Sequence, residues 1–173
     1  MEKEQSEIIK ALQFAIQMEV DGKNFYHRAG EKSGNKLGKE LFQYLAEAED
    51  IHRKKFTEIY KALKRGQNWP DVEAPHNKAK ELKSMFAEAT KALGTKVKVA
   101  ESEVEAIKTA MEIESKSYKF YHSRSEQYTL PVEKRFYQAV AAEEREHHFA
   151  LLDASEYLAD PVGDGSLKKN TGL

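Results

Sequence analysis

At 173 residues, with 33% charged residues and only four prolines, the chain is long enough to bury one hydrophobic core, and its composition predicts an all-α protein. It contains no cysteine, which excludes disulfides, thiolate-bound zinc and iron–sulfur clusters, so any metal must be held by carboxylate and imidazole groups. The net charge of -1 gives no electrostatic basis for binding nucleic acid or an anionic membrane.

The first predicted elements are two long helices joined by a short turn. Apolar residues at helical spacing run from about residue 4 to residue 31, and again from about residue 36 to residue 65. Ser33-Gly34-Asn35 separates the two segments and provides a stop and a turn. Because this turn is short, we expect the two helices to be antiparallel neighbours.

A long crossover connection follows, from about residue 66 to residue 101. It contains a short predicted helix over about residues 78–93, and we interpret Trp69 near its start as a packing anchor. A helix of about 30 residues is roughly 45 Å long, so a connection of this size can return the chain along the whole bundle. The next bundle helix is therefore predicted to run parallel to the second.

Two further helices complete the predicted bundle. The third extends from about residue 102 to residue 127, with Ser102 as its predicted N-cap and Glu105 at the capping-box position. Pro131 is predicted to begin the fourth, which ends near residue 158. We expect residues 1–160 to form the bundle and residues 161–173 to form a flexible tail.

The expected location of the protein is the cytoplasm. No apolar run approaches the roughly 20 residues of a membrane span. The first five residues, Met1-Glu2-Lys3-Glu4-Gln5, lack the apolar core of a signal peptide. Neither a membrane nor a nucleic acid is expected as a partner.

The two long helix pairs repeat each other at an offset of 95 residues (114 minus 19). Two amphipathic helices always align at some register, but a chance alignment should not preserve charged residues on apolar stripes. We therefore interpret the chain as a duplicated helix pair. The residues in register are Glu19 with Glu114, Tyr26 with Tyr121, Glu49 with Glu144, and His52 with His147.

The repeated glutamates and histidines are predicted to bind two metal ions inside the bundle. They lie three, four or seven positions from apolar residues, so their side chains point into the core. Burying a single carboxylate is costly, and four together would also repel one another. Two divalent cations would neutralise four carboxylates and two neutral imidazoles. The predicted ligands are Glu19, Glu49, His52, Glu114, Glu144 and His147.

Mixed carboxylate and imidazole ligation favours iron or manganese, with zinc as an alternative, whereas magnesium and calcium prefer all-oxygen sites. Tyr26 and Tyr121 follow the single glutamates by two helical turns. We predict that they support the ligands by hydrogen bonding to their carboxylates; the alternative is a core tyrosine bonded elsewhere.

Four other histidines are not predicted to be ligands. His27 and His122 repeat but lie at the boundary of the inward face, and His148 points away from it. A further Glu-x-x-His pattern, Glu73 to His76, contains a proline and has no repeat partner. It is therefore interpreted as a chance match.

In these motifs the chain resembles the rubrerythrin-like branch of the ferritin-like di-iron carboxylate superfamily, particularly its stand-alone members without a rubredoxin domain. The resemblance covers roughly residues 5–158 and implies a ferritin-like four-helix bundle, made of two duplicated antiparallel helix pairs, with two bound irons. In such a centre Glu49 and Glu144 would bridge the metals, while Glu19 with His52 and Glu114 with His147 would cap them.

The resemblance implies an oxidoreductase that reduces hydrogen peroxide or oxygen in oxidative-stress defence, usually as a homodimer. Electrons would come from an external donor such as a rubredoxin-like protein. A non-enzymatic or ferroxidase-like iron-binding protein and a dimanganese catalase are the alternatives. No catalytic residue is predicted beyond the metal ligands.

One position departs from the rubrerythrin pattern. Rubrerythrins carry a further ligand glutamate three residues after the third-helix glutamate, and Ser117 occupies that position here, with Gly22 as its repeat counterpart. The ligand exchange linked to peroxidase turnover would lack this carboxylate. Glycine inside a helix costs roughly 1 kcal/mol relative to alanine, so Gly22 either leaves space beside the metals or allows close helix packing.

Overall fold

The computed structural model describes residues 2–73, 79–94, 100–127 and 130–160, and these residues form helices with short connections. The predicted tail, residues 161–173, lies outside the described residues. Among the described helices, none is both long enough and apolar enough to cross a membrane. The helices are α1 (Glu2–Lys32), α2 (Lys36–Lys64), α3 (Ala79–Leu93), α4 (Glu101–Gln127) and α5 (Pro131–Ala159).

Helices α1 and α2 form an antiparallel hairpin. Asn35 caps α2, with its side-chain oxygen accepting a hydrogen bond from the backbone N–H three residues later at 2.9 Å. Further from the turn, Lys23 Nζ donates to Asp50 Oδ1 at 2.8 Å, and Gln13 Nε2 donates to Tyr60 Oη at 3.3 Å. Residues earlier in α1 therefore contact residues later in α2.

Helices α4 and α5 form a second antiparallel pair. Pro131 begins α5 as predicted, because the N–H that proline lacks has no partner in the first turn of a helix. In the first half of α4, the Met111 carbonyl lies 3.1 Å from Nδ1 of His148. Near its end, the ring of Tyr121 stacks on Tyr137 with 6.2 Å between centroids.

The predicted N-cap of α4 is wrong. The helix begins at Glu101, and the Ala100 carbonyl already accepts the N–H of Glu103 at 2.9 Å. Ser102 therefore lies inside the first turn. The carboxylate of Glu103 instead accepts a hydrogen bond from Ser33 Oγ in the turn between α1 and α2, which links the start of α4 to the first hairpin.

The two pairs are arranged so that α4 runs parallel to α2, the direction predicted from the crossover. In the first turns of the two helices, Gly38 lies so close to Glu103 that an added Cβ would overlap the carboxylate. Near their ends, Phe56 stacks on Tyr121 at 5.2 Å. Helix α3, in the crossover, packs against α2 and α5. Trp69 is buried as predicted.

The buried apolar residues form two clusters, one towards each end of the bundle. The first includes Leu41 and Leu45 of α2 with Leu151 of α5. The second includes Phe56 of α2 and Val140 of α5, together with Trp69. On each of the four long helices, the predicted metal ligands lie between residues of these two clusters. The fold therefore holds a charged layer between two apolar layers.

Candidate metal centre

The charged layer brings together all six predicted ligands. Each of them is at most 3% exposed, although charged groups are rarely buried to this extent without a partner. One glutamate comes from α1 and one from α4, and a Glu-x-x-His pair comes from each of α2 and α5. The residues are Glu19, Glu49, His52, Glu114, Glu144 and His147.

The oxygen and nitrogen atoms of these side chains divide into two overlapping groups, each able to hold one metal ion. Within a group, one atom from each residue lies within 4.8 Å of the others. Glu49 and Glu144 belong to both groups. The first group adds Glu19 and His52, and the second adds Glu114 and His147.

Several atoms that face the middle of the layer have no hydrogen-bond partner within the described part of the chain. They include Oε2 of Glu19, Oε2 of Glu114 and both carboxylate oxygens of Glu144, together with Nδ1 of both histidines. Nδ1 of His52 lies 3.1 Å from Glu144 Oε1, but the two atoms are not aligned for a hydrogen bond. Since buried polar atoms are normally paired, this converging set of oxygen and nitrogen donors fits divalent cations.

Burial raises the pKa of Glu49 well above its usual range, and the negative charges of Glu19 and Glu144 raise it further. The pKa of Glu144 is also raised well above its usual range, by burial and by the charge of Glu114. A site with these carboxylates ionised and no cation is therefore unfavourable.

Glu19 and Glu114, which each belong to only one of the two groups, behave differently. Burial alone would raise the pKa of Glu19, but close contacts with the Glu49 carboxyl group and with the ring of His52 lower it overall. The pKa of Glu114 is lowered in the same way, because the positive charge that His147 can carry and its close contact outweigh burial. Negative charge is thus favoured at the two outer carboxylates of the layer.

The two predicted supporting tyrosines bond across the helix pairs. Tyr26 Oη donates to Glu114 Oε1 at 2.6 Å, and Tyr121 Oη donates to Glu19 Oε1. Each tyrosine therefore holds the glutamate of the other pair rather than the one two turns earlier in its own helix. The second oxygen of each glutamate, Oε2, lies 3.4 Å from a histidine Nδ1.

One residue of the site was not predicted from the sequence. Glu143, only 8% exposed, places Oε2 at 2.7 Å from Nε2 of His52. From the sequence, the neighbouring residue Glu144 was assigned to the inward face of this helix, so Glu143 was not considered for it. Glu143 nevertheless lies three residues after Val140 and four before His147, so its own helical stripe was a usable signal.

The remaining histidines lie outside the layer where the structure describes them. His27 is exposed, and its Nδ1 lies 3.5 Å from Glu31 on the same helix. His122 is also exposed, and His148 contacts the backbone of α4. His76, the end of the chance Glu-x-x-His pattern, lies outside the described residues.

Comparison with known proteins identifies the family of the chain and a solved structure with the same fold. The family model described as Rubrerythrin matches residues 10–155, a range that includes every residue of the charged layer. No match was found among the curated proteins. Among solved structures, a hypothetical protein from Pyrococcus furiosus has the same fold, with a TM-score of 0.64 and 22% identity, over 88% of this chain and 90% of that one.

Proposed function

The chain belongs to the rubrerythrin family, and on that premise we propose that its charged layer binds two iron ions and serves as the redox centre of an oxidoreductase. The observation that carries the proposal is the pair of overlapping four-residue groups that share Glu49 and Glu144. Two divalent cations also match in charge the four carboxylates of these two groups. Manganese or zinc could occupy the same donor set.

Each ligand has a role in this proposal. Glu49 and Glu144 would bridge the two ions, since they alone belong to both groups. Glu19 with His52 would complete one position, and Glu114 with His147 the other. Tyr26 and Tyr121 would orient the outer carboxylates, because each occupies one oxygen and leaves Oε2 free for a cation.

The proposed reaction is the reduction of hydrogen peroxide or oxygen. A pair of ferrous ions would supply the two electrons that convert hydrogen peroxide and two protons into two waters. The apolar clusters on both sides of the layer keep bulk water away from the ligands. We propose that the electrons come from an external donor, such as a rubredoxin-like protein.

Ser117 favours the second candidate, a ferroxidase-like iron-binding protein. It is buried in α4, three residues after Glu114, and it offers a hydroxyl where rubrerythrins offer a carboxylate. A site with one carboxylate fewer would bind the product ferric ion less tightly, since ferric iron is stabilised by negative ligands. Release of oxidised iron is a step that only an iron-handling protein needs.

Stopped-flow spectroscopy separates the two functions. We expect the protein loaded with two ferrous ions per chain to be oxidised faster by hydrogen peroxide than by oxygen. Glu49→Ala, treated identically, is the control for iron outside the layer. Oxygen consumption that continues in proportion to ferrous ion added beyond two per chain would refute the peroxidase assignment and support iron oxidation.

Gly22 provides a test of the bridging role of Glu49. A Cβ at Gly22 would lie 3.3 Å from both Cδ and Oε2 of Glu49, so Gly22→Ala should press on a carboxylate that two ions hold in place. We expect metal affinity to fall on the order of tenfold. The metal-free protein should not be destabilised, because alanine favours a helix by roughly 1 kcal/mol.

The matched control is Gly34→Ala, where an added Cβ meets nothing within 4 Å. Metal affinity would be measured by competition with a chelator, and stability by thermal unfolding of the metal-free protein. Unchanged affinity in Gly22→Ala would show that this glycine serves helix packing and not the metal site.

A further inference from the structure

The two histidines of the charged layer have different surroundings. Nε2 of His52 is 2.7 Å from Glu143 Oε2, a contact between α2 and α5 in which the histidine ring is fully buried. As the neutral ring donates Nε2–H to this carboxylate, the lone pair is fixed on Nδ1. Nδ1 faces Glu19 Oε2 at 3.4 Å and Glu144 Oε1 at 3.1 Å. Glu143 therefore sets both the tautomer and the orientation of His52.

The other half of the repeat lacks this carboxylate. The residue that corresponds to Glu143 is Ala48 (143 minus 95), which cannot accept a hydrogen bond from a histidine side chain. His147 instead packs against the ring of Tyr44, with 5.9 Å between centroids and an angle of 88° between the planes. The residue that corresponds to Tyr44 in α5 is Ala139. One histidine is thus fixed by a carboxylate and the other by an aromatic ring.

Resting on the proposed two-metal centre, we infer that the two metal positions are inequivalent: Glu143 is a positioning residue that makes the His52 position hold its ion more tightly than the His147 position. A carboxylate bonded to the outer nitrogen of a metal-binding imidazole fixes the ring and increases its basicity, and loss of such a partner typically weakens binding by roughly 10- to 100-fold. The ion beside His147 is then the one that is loaded last and exchanged first.

Cobalt(II) titration of the metal-free protein measures the two positions separately. Visible absorption reports the ligand geometry, and competition with a chelator gives the dissociation constants. We expect two unequal constants for the wild type. Glu143→Ala should weaken the tighter one by roughly 10- to 100-fold, and Glu143→Gln should weaken it less, because the amide oxygen still accepts a hydrogen bond. Glu146→Ala, which removes a carboxylate from the same helix, is the matched control.

A double-mutant cycle assigns the effect to one position. In the His147→Ala background, which retains the His52 position, Glu143→Ala should weaken cobalt binding as it does in the wild type. In the His52→Ala background it should have no further effect, because its partner is absent. A loss that a structural role alone could cause would appear in both backgrounds, and circular dichroism of each variant checks that the helices are retained.

The outcomes separate this inference from the proposed centre. Two equal constants in the wild type, or an equal effect of Glu143→Ala with and without His52, would overturn the inequivalence and leave the two-metal centre intact. A wild-type protein that binds less than one cobalt ion per chain would overturn the centre itself, and the inference with it.

Discussion

Replacing Glu49 with alanine should remove both metal ions at once. The carboxylate of Glu49 belongs to both four-residue groups. Its loss therefore removes one ligand from each ion and one negative charge from the site. Glu144→Ala should have the same effect. Glu19→Ala should remove at most the ion beside His52, because Glu19 belongs to only one group.

Metal content after desalting, measured by elemental analysis, tests this ordering. Glu47→Ala, an exposed position two residues before Glu49, should retain two ions per chain. Far-ultraviolet circular dichroism should remain largely helical in every variant, because the two apolar clusters lie on either side of the layer. Stoichiometric metal in both Glu49→Ala and Glu144→Ala would refute the bridging assignment.

The metal-free and metal-loaded proteins should respond to pH in opposite directions. In the metal-free protein, Glu49 and Glu144 have native pKa values raised well above the usual 4.5. The native state therefore binds protons that the unfolded state releases, and stability falls as the pH rises from about 4.5 through the raised pKa. In the metal-loaded protein, protons compete with metal for the ligands, so stability falls as the pH decreases.

The other groups of the layer with shifted pKa values act in different pH ranges. Burial would lower the pKa of His52, but its hydrogen bond with Glu143 and its close contacts with the carboxylates of Glu144 and Glu19 raise it overall, so its contribution to stability is also lost as pH rises through the raised value. The lowered pKa values of Glu19 and Glu114 act in the opposite sense. Their contribution is lost only as the pH falls below about 4.5, outside the range of interest.

Thermal unfolding between about pH 5 and pH 8 measures how the stability of the metal-free and of the metal-loaded protein changes with pH. At about pH 8, metal at 1,000 times its dissociation constant adds about 4 kcal/mol per site. Removing it should lower Tm by roughly 10 °C or more, because 1 kcal/mol corresponds to roughly 2–4 °C in a domain of this size. The difference in Tm between the metal-loaded and metal-free proteins should decrease towards about pH 5.

The matched variant for this experiment is Glu49→Gln, which keeps the shape of the side chain and removes its charge. In the metal-free state it should be more stable than the wild type at about pH 8 and show a smaller pH dependence. Stability of the metal-free wild type that increases with pH across this range would contradict the account of buried, mutually repelling carboxylates.

The helices were predicted to within about two residues at their ends because their apolar periodicity is long and strong. The direction of α4 followed from the length of the crossover. The predicted cap at Ser102 failed because serine is also compatible with the first turn of a helix, and this helix starts two residues earlier than a cap at Ser102 would place it. The carboxylate of Glu103 accepts a hydrogen bond from Ser33. The first turn of α4 is therefore also held by a contact with the other helix pair.

The composition of the charged layer was also predictable, because helical spacing determines which face of a helix a residue occupies. Spacing does not determine which neighbouring helix that face meets. The crossed bonds of Tyr26 to Glu114 and Tyr121 to Glu19 therefore required the tertiary structure. The same limit applies to the contact between Glu143 and His52.

Gly22 illustrates how the structure distinguishes two interpretations that the sequence leaves open. A glycine inside a helix is consistent both with close packing and with space for a ligand. Its Cα lies beside the Glu49 carboxylate, where a Cβ would approach to 3.3 Å. This contact favours the second interpretation, because the neighbouring group is a proposed bridging ligand.

The most direct test of the account is the metal content of protein produced in iron-rich medium and purified without chelators. We expect two transition-metal ions per chain, lost together in Glu49→Ala. Less than one ion per chain in the wild type, after purification that avoids metal loss, would contradict the central claim that the charged layer is a two-metal centre.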